Sequence, residues 1–241
     1  MYQPRVYRHR VASADLVTFN VCIKETDLFI SARSDLTAEA RRLVVESRGA
    51  IEEYIRRQPL FQRTLKPLEV SADAAPIVRE MAGAAAKVGI GPMAAVAGAI
   101  AEYVGRGLSR LSDTVIVENG GDIFLKSSTD RIAGIDAGHS PLSGKIGLKI
   151  KGSEIPLGIC TSSGTVGHSL SFGVADAVVV LSPQAALADA AATAIGNMIQ
   201  DADDIEEGLE FARGIENISG VAIIKGDKLG VWGSVNICRT S

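Results

Sequence analysis

Cysteine is scarce in this chain. It occurs at Cys22, Cys160 and Cys238 only, at wide spacings and with no Cys-x-x-Cys pair. That excludes a zinc knuckle and a redox dithiol, and it fits reduced thiols in a cytoplasmic protein. An excess of positive charge is also lacking: 25 Lys and Arg stand against 28 Asp and Glu, for a formal net charge of −3. No polyanion-binding surface follows from that balance, so nucleic acid is not an expected partner. The most basic stretch, Arg5, Arg8 and Arg10, alternates with Val6, Tyr7 and His9, as on the outward face of a strand. Long apolar runs are missing too. The longest, Val88 to Ala101, is bounded by Lys87 and Glu102 and interrupted by Pro92. It is too short to span a bilayer and reads as a buried loop and helix. Charged and polar residues interrupt the N-terminus, which shows no signal-peptide core. No Pro-, Gly- or Ser-rich linker divides the sequence. The expectation is a soluble cytoplasmic protein, with no membrane partner, folded as a single domain over 1–241 around the core that 46% hydrophobic residues allow.

Period-two patterning predicts strands at Tyr7–Val11, Leu16–Lys24 and Leu28–Ser31, the last two joined by a turn at Glu25-Thr26-Asp27. Ser34 or Asp35 then caps a helix over Thr37–Gln58, with Val44, Ile51, Tyr54 and Ile55 near helical spacing and Pro59 as its stop. After a polar connector, helices follow over Ala75–Lys87 and Met93–Leu108. Short strands run from Thr114 to Thr161 as TVIVE, DIFLK, RIAGI, KIGLKI and IPLGICT. A Ser/Thr/Gly-rich loop, Thr161–Gly173, precedes an apolar strand at Ala175–Leu181 and an alanine-rich helix at Ala185–Ile199. The acidic segment Asp201–Glu207 leads into a short helix, and VAIIK and LGVWG close the chain around a turn at Gly226-Asp227. Hairpins and grouped helices, without regular βαβ alternation, define an α+β class with antiparallel sheets and helices packed on them.

Four segments carry polar chemistry. Asn119-Gly120-Gly121-Asp122 joins two apolar strands. Its glycines permit positive φ and its N–H groups suit a phosphate or carboxylate, though a plain hairpin turn explains the same residues. Asp189 and Thr193 lie four residues apart on one face of an alanine-rich helix. A carboxylate among alanines is costly to bury without a cation or donors, and such oxygens suit Mg²⁺; the alternative is that Asp189 caps its own helix. The loop Cys160–Ser169 offers Thr161, Ser162, Ser163, Gly164 and the titratable His168 to phosphates or a ribose, or it is a plain surface loop. Gly89-x-Gly91 lacks a preceding strand and a third glycine, so tight helix packing explains it better than dinucleotide binding.

The order of these pieces resembles the ApbE-like superfamily: a Gly-Ala helix, a Gly-Gly-Asp turn, a Thr-Ser-Gly loop with a His, then an Ala188-Asp189-x-x-x-Thr193 helix. The resemblance covers about Gly89 to Asn197. It implies a T-fold-like architecture and a Mg²⁺-dependent enzyme that uses FAD to attach FMN to a protein threonine. Carried over by position, Asp189, Thr193 and the backbone carbonyl of Ala97 would hold the metal. Asn119, Gly120, Gly121, Asp122, Thr161, Ser162, Ser163 and Gly164 would bind FAD, FMN or a related nucleotide. His168 and Asp122 would be catalytic. The chain departs from the family pattern in two places. Leu170-Ser171-Phe172-Gly173 stands where the family has Asp-Pro-x-Thr-Gly, and a charged helix replaces the N-terminal flavin motif. The resemblance and its departures imply three alternative functions: a Mg²⁺-dependent transferase or pyrophosphate-cleaving enzyme acting on FAD or a similar nucleotide; an accessory protein that binds ligand without transferring flavin, in the sulfide assimilation and homocysteine synthesis with which the resembled branch is associated; or a scaffold with a vestigial site, acting through a dimer or another protein interface.

Overall fold

The computed structural model describes residues 15–164 and 172–240. The expected strand at Tyr7–Val11 lies outside these residues, as does His168.

Eight strands form one antiparallel sheet. In spatial order they are β1 (Val17–Ile23), β2 (Thr26–Ala32), β3 (Val115–Asn119), β4 (Asp122–Ser127), β7 (Ser153–Ser162), β8 (Ala177–Ser182), β9 (Gly220–Lys225) and β10 (Lys228–Gly233). A second sheet has the order β11 (Ile237–Arg239), β6 (Ile146–Ile150) and β5 (Arg131–Gly134). Helices α1 (Thr37–Arg57), α3 (Pro76–Lys87), α4 (Val96–Leu108) and α5 (Ala185–Met198) share one core cluster with one face of the large sheet. The other face shares a separate cluster with the small sheet. β8 shows why its sequence is a continuous apolar run. Val178 and Val180 belong to the helical core, whereas Ala177, Val179 and Leu181 belong to the core under the small sheet, so both faces of the strand are buried.

Local chemistry sets most element ends. The β1–β2 hairpin turns at Lys24-Glu25, one position earlier than the sequence suggests, with Lys24 at φ 53°. Asp35 helps start α1: its Oδ1 accepts the N–H of Thr37 at 2.9 Å and the Thr37 hydroxyl at 2.6 Å. The N-cap position itself is Leu36. The connector after Pro59 is more ordered than expected and contains a short helix, α2 (Leu60–Arg63), anchored by the buried Phe61 against Tyr54. The predicted Met93–Leu108 helix divides into a 3₁₀ turn, Pro92–Ala95, and α4. The first part of the acidic segment is a capped turn, with Asp204 Oδ2 accepting the N–H groups of Gln200 and Asp201, and α6 (Ile205–Arg213) takes in the last three residues of the segment.

Alanine and glycine let the layers approach closely. A Cβ on Gly158 of β7 would lie 2.4 Å from Cα of Ala185, so α5 lies directly on the sheet there. A Cβ on Gly98 of α4 would lie 2.4 Å from the Ala185 carbonyl oxygen and 2.8 Å from Cβ of Asp189. Among the described residues no single helix is long and apolar enough to cross a membrane, and the one bent pair that passes by composition, α3 with the 3₁₀ turn and α4, is bent by 108°.

Candidate functional site

The β3–β4 hairpin is a two-residue turn. Gly120 has φ 78°, a conformation that glycine adopts freely, and Asn119 pairs directly with Asp122 across the ladder. A hairpin therefore accounts for the two glycines. Its consequence is chemical: opposite partners share a face, so Asn119 and Asp122 both point toward the helices. Asn119 Nδ2 donates to the carbonyl of Ala97 at 3.1 Å, tying the hairpin to the first turn of α4.

Asp122 is 8% exposed, and its Oδ1 has no hydrogen-bond partner among the described residues. Burial pushes its pKa up, to about 7. The thiol of Cys160 and the N–H of Thr161 counter that rise, and the charge of Glu118 adds to it. Behind it, the Cys160 thiol is fully buried and lies 3.3 Å from the Ala185 carbonyl, its own pKa raised by burial and by the nearby charges of Asp122 and Asp189.

Asp189 and Thr193 stand one turn apart on α5, and Asn197 continues the same stripe a turn further. Asp189 does not cap its own helix. Its Oδ2 accepts the N–H of Gly98 at 2.8 Å, so it caps the start of α4 instead. Burial, together with the charge of Asp122, pushes its pKa well above the ordinary carboxylate value, and the N–H groups of Gly98 and Ala97 offset part of that.

These groups meet at one cavity of about 370 Å³, lined by Ala97, Asp122, Asp189, Thr193 and Asn197 on its polar side. Gln62, Thr64 and Leu65 from the segment around the end of α2 line it as well, with Ile90, Met93 and Val96 from the approach to α4. Phe172 completes the lining. Leu65 and Phe172 are 58% and 59% exposed, unusual for large apolar side chains beside a polar floor.

The three residues expected around a metal, Ala97, Asp189 and Thr193, thus come together, with Asp122 beside them. Of the eight expected ligand-binding residues, Asp122 lines the cavity and the other seven do not. Thr161 and Ser162 end β7, Ser162 buried with its Oγ against Gly196, and Gly164 donates to the Ala175 carbonyl at 2.9 Å. The α2 segment and Phe172 carry no motif that would have singled them out; Asn197 was legible as the next step of the four-residue stripe. No group of three or more His, Cys, Asp or Glu forms a metal cage among the described residues. The available donors are two carboxylates, a hydroxyl and a carbonyl oxygen, a hard and open set of the kind that suits Mg²⁺ completed by water or substrate oxygens.

Solved structures place this architecture. The flavin transferase ApbE from Vibrio cholerae superposes with a TM-score of 0.55 at 16% identity, covering 92% of this chain and 98% of that one. An ApbE protein from Thermotoga maritima matches with a TM-score of 0.55 at 13% identity, over 94% and 97%. The fold is that of the ApbE proteins. Within that class, the family model described as AbpE bacteria matches residues 8–219. Curated relatives named UPF0280 protein include one from Methanococcus vannielii, 42% identical over 92% of each chain, and one from Methanocella arvoryzae, 40% identical over 97% of this chain and 92% of the relative. The chain belongs to this ApbE-like family.

Proposed function

We propose that the cavity holds a divalent cation, Mg²⁺ in the cell, together with a flavin nucleotide or related nucleotide pyrophosphate, and that the protein is a cytoplasmic Mg²⁺-dependent transferase acting on that nucleotide. The observation that carries this reading is the meeting of Ala97, Asp122, Asp189 and Thr193 at one cavity, with a buried oxygen of Asp122 left without a partner among the described residues. A buried carboxylate in that state is costly unless a cation or donor completes it. Asp189, Thr193 and Ala97 would hold the cation. The Ala97 carbonyl accepts from Asn119 Nδ2, a bond that the cation would replace. When bound, the cation supplies neutralisation of phosphate charge. Asp122 lies beside these donors, placed to take or hold a proton. The apolar wall of Leu65, Ile90, Met93 and Val96 excludes water from the nucleotide.

A second reading is favoured by one observation: Asp189 already serves as the cap of α4. In that reading the site is a structural remnant, and the protein binds ligand without transfer or acts through an interface, as in a dimer. Thermal melting with FAD, FMN and ADP, each with and without Mg²⁺, separates the two. Ligand at a hundredfold excess over Kd stabilises the folded state by about 2.7 kcal/mol. A shift with FAD that requires Mg²⁺ and is absent in Asp189→Asn supports the transferase reading, and FMN and AMP release is then assayed directly. No shift with any ligand sinks it.

A further inference from the structure

Helices α4 and α5 close on each other through crossed carboxylates. Asp189 of α5 accepts the N–H of Gly98 at the start of α4, 2.8 Å away. In the opposite sense, Glu102 of α4 accepts the N–H of Ala186 at the start of α5, 3.2 Å from Oε2, with the N–H of Ala185 also directed to it. Neither helix has a side-chain cap from its own N-cap residue, Ala95 for α4 and Gln184 for α5. Each helix start is completed by the other helix. Glu102 is 2% exposed, and its second oxygen takes a guanidinium N–H of Arg106, which reaches on to Glu80 at 3.0 Å. Gly98 allows the crossing itself, since a side chain there would strike the Ala185 carbonyl.

The cation donors are divided across this crossing. The Ala97 carbonyl lies on α4, whereas Asp189 and Thr193 lie on α5, so their separation depends on how the two helices are held. We propose that Glu102 is a positioning residue for the cation site: by pinning the first turn of α5 to α4 it sets Asp189 and Thr193 against the Ala97 carbonyl. This rests on the cation reading given above. Glu102 is absent from the 370 Å³ cavity and touches no ligand there; it acts through the helix. It borders instead a separate groove with Arg79, Lys87 and Gln184.

The test is Mn²⁺ binding to the full chain, read by the electron paramagnetic resonance signal of free Mn²⁺ well below the melting temperature. Four proteins are compared: wild type, Glu102→Ala, Glu102→Gln and Asp189→Asn. Outer partners of metal ligands typically change affinity by roughly tenfold to a hundredfold, and a loss of that size is expected for Glu102→Ala. The Gln variant keeps an oxygen for the Ala186 N–H and should restore affinity close to wild type. A role confined to stability would lower the melting temperature of Glu102→Ala and leave Mn²⁺ affinity unchanged in the folded protein. That result overturns the proposal, as does a Gln variant no better than the Ala variant. If Glu102→Ala does not fold, Glu102→Asp, which withdraws the carboxylate by one methylene, is read by the same criterion. If wild type and Asp189→Asn bind Mn²⁺ alike, the cation reading itself fails and the positioning role falls with it. Binding lost in Asp189→Asn but kept in Glu102→Ala refutes the positioning role alone.

Discussion

Replacing Gly98 by Ala should destabilise the protein even though alanine is the better helix former. In an open helical position the exchange gains about 0.5–1 kcal/mol. At Gly98 the new methyl would lie 2.4 Å from the Ala185 carbonyl oxygen, 2.8 Å from Asp189 Cβ and 2.9 Å from the Ala185 carbonyl carbon. Two of those atoms are backbone, so rotamer changes cannot relieve the contact. Reaching ordinary contact requires the helices to separate by about 1 Å, and overpacking of this kind typically costs about 1–3 kcal/mol. Separation also lengthens the bond from Gly98 N–H to Asp189, now 2.8 Å. The net expectation is a loss of about 1–2 kcal/mol, or roughly 2–8 °C in melting temperature for a chain of this size. Gly83 supplies the internal control. It lies within α3, and a Cβ there meets nothing within 4 Å, so Gly83→Ala should gain about 0.5–1 kcal/mol. Urea unfolding of both variants beside wild type makes the comparison. If Gly98→Ala matches Gly83→Ala, the two helices do not approach as described, and the account of the site built on their crossing is wrong.

Asp122→Asn should stabilise the ligand-free protein at pH 8 and change little at pH 4. The folded-state pKa is raised to about 7, so the folded state holds its proton more tightly. The cost of the carboxylate is therefore absent below the unfolded value near 3.8 and grows as pH rises toward 7. At about 1.4 kcal/mol per pKa unit, the gain at pH 8 lies between about 1 and 4 kcal/mol once relaxation is allowed for. Denaturant unfolding at the two pH values checks it, and equal gains at both would show that charge is not the cause. Phe124→Ala should cost about 3–5 kcal/mol, because the ring is 1% exposed and fills the space beside Gly105 on the inner face of α4; calorimetry reads the loss.

The sequence by itself determined most of the elements from Leu16 onward, because hydrophobic period and turn residues act locally. The Gly120-Gly121 and Gly226-Asp227 turns, the Pro59 stop and the apolar β8 strand were all legible that way. The four-residue stripe of Asp189 and Thr193 was legible as well, since helical geometry alone puts them on one face. Local rules did not reach the short helix α2, which Phe61 holds through contacts with α1 and the core, or the three-residue β11, which exists only by pairing with β6. They also left the use of Asp189 open between a cap for its own helix and a ligand. Only the tertiary structure decided that it caps α4, because the Gly98 N–H it satisfies is 91 residues away in sequence. The same holds for Asp122. Its spacing is that of an ordinary hairpin, and what makes it chemical is desolvation beside Asp189 and Cys160, a property of how the helices cover the sheet. Pattern fixes which face a side chain takes; what lies opposite that face is fixed only when distant elements pack.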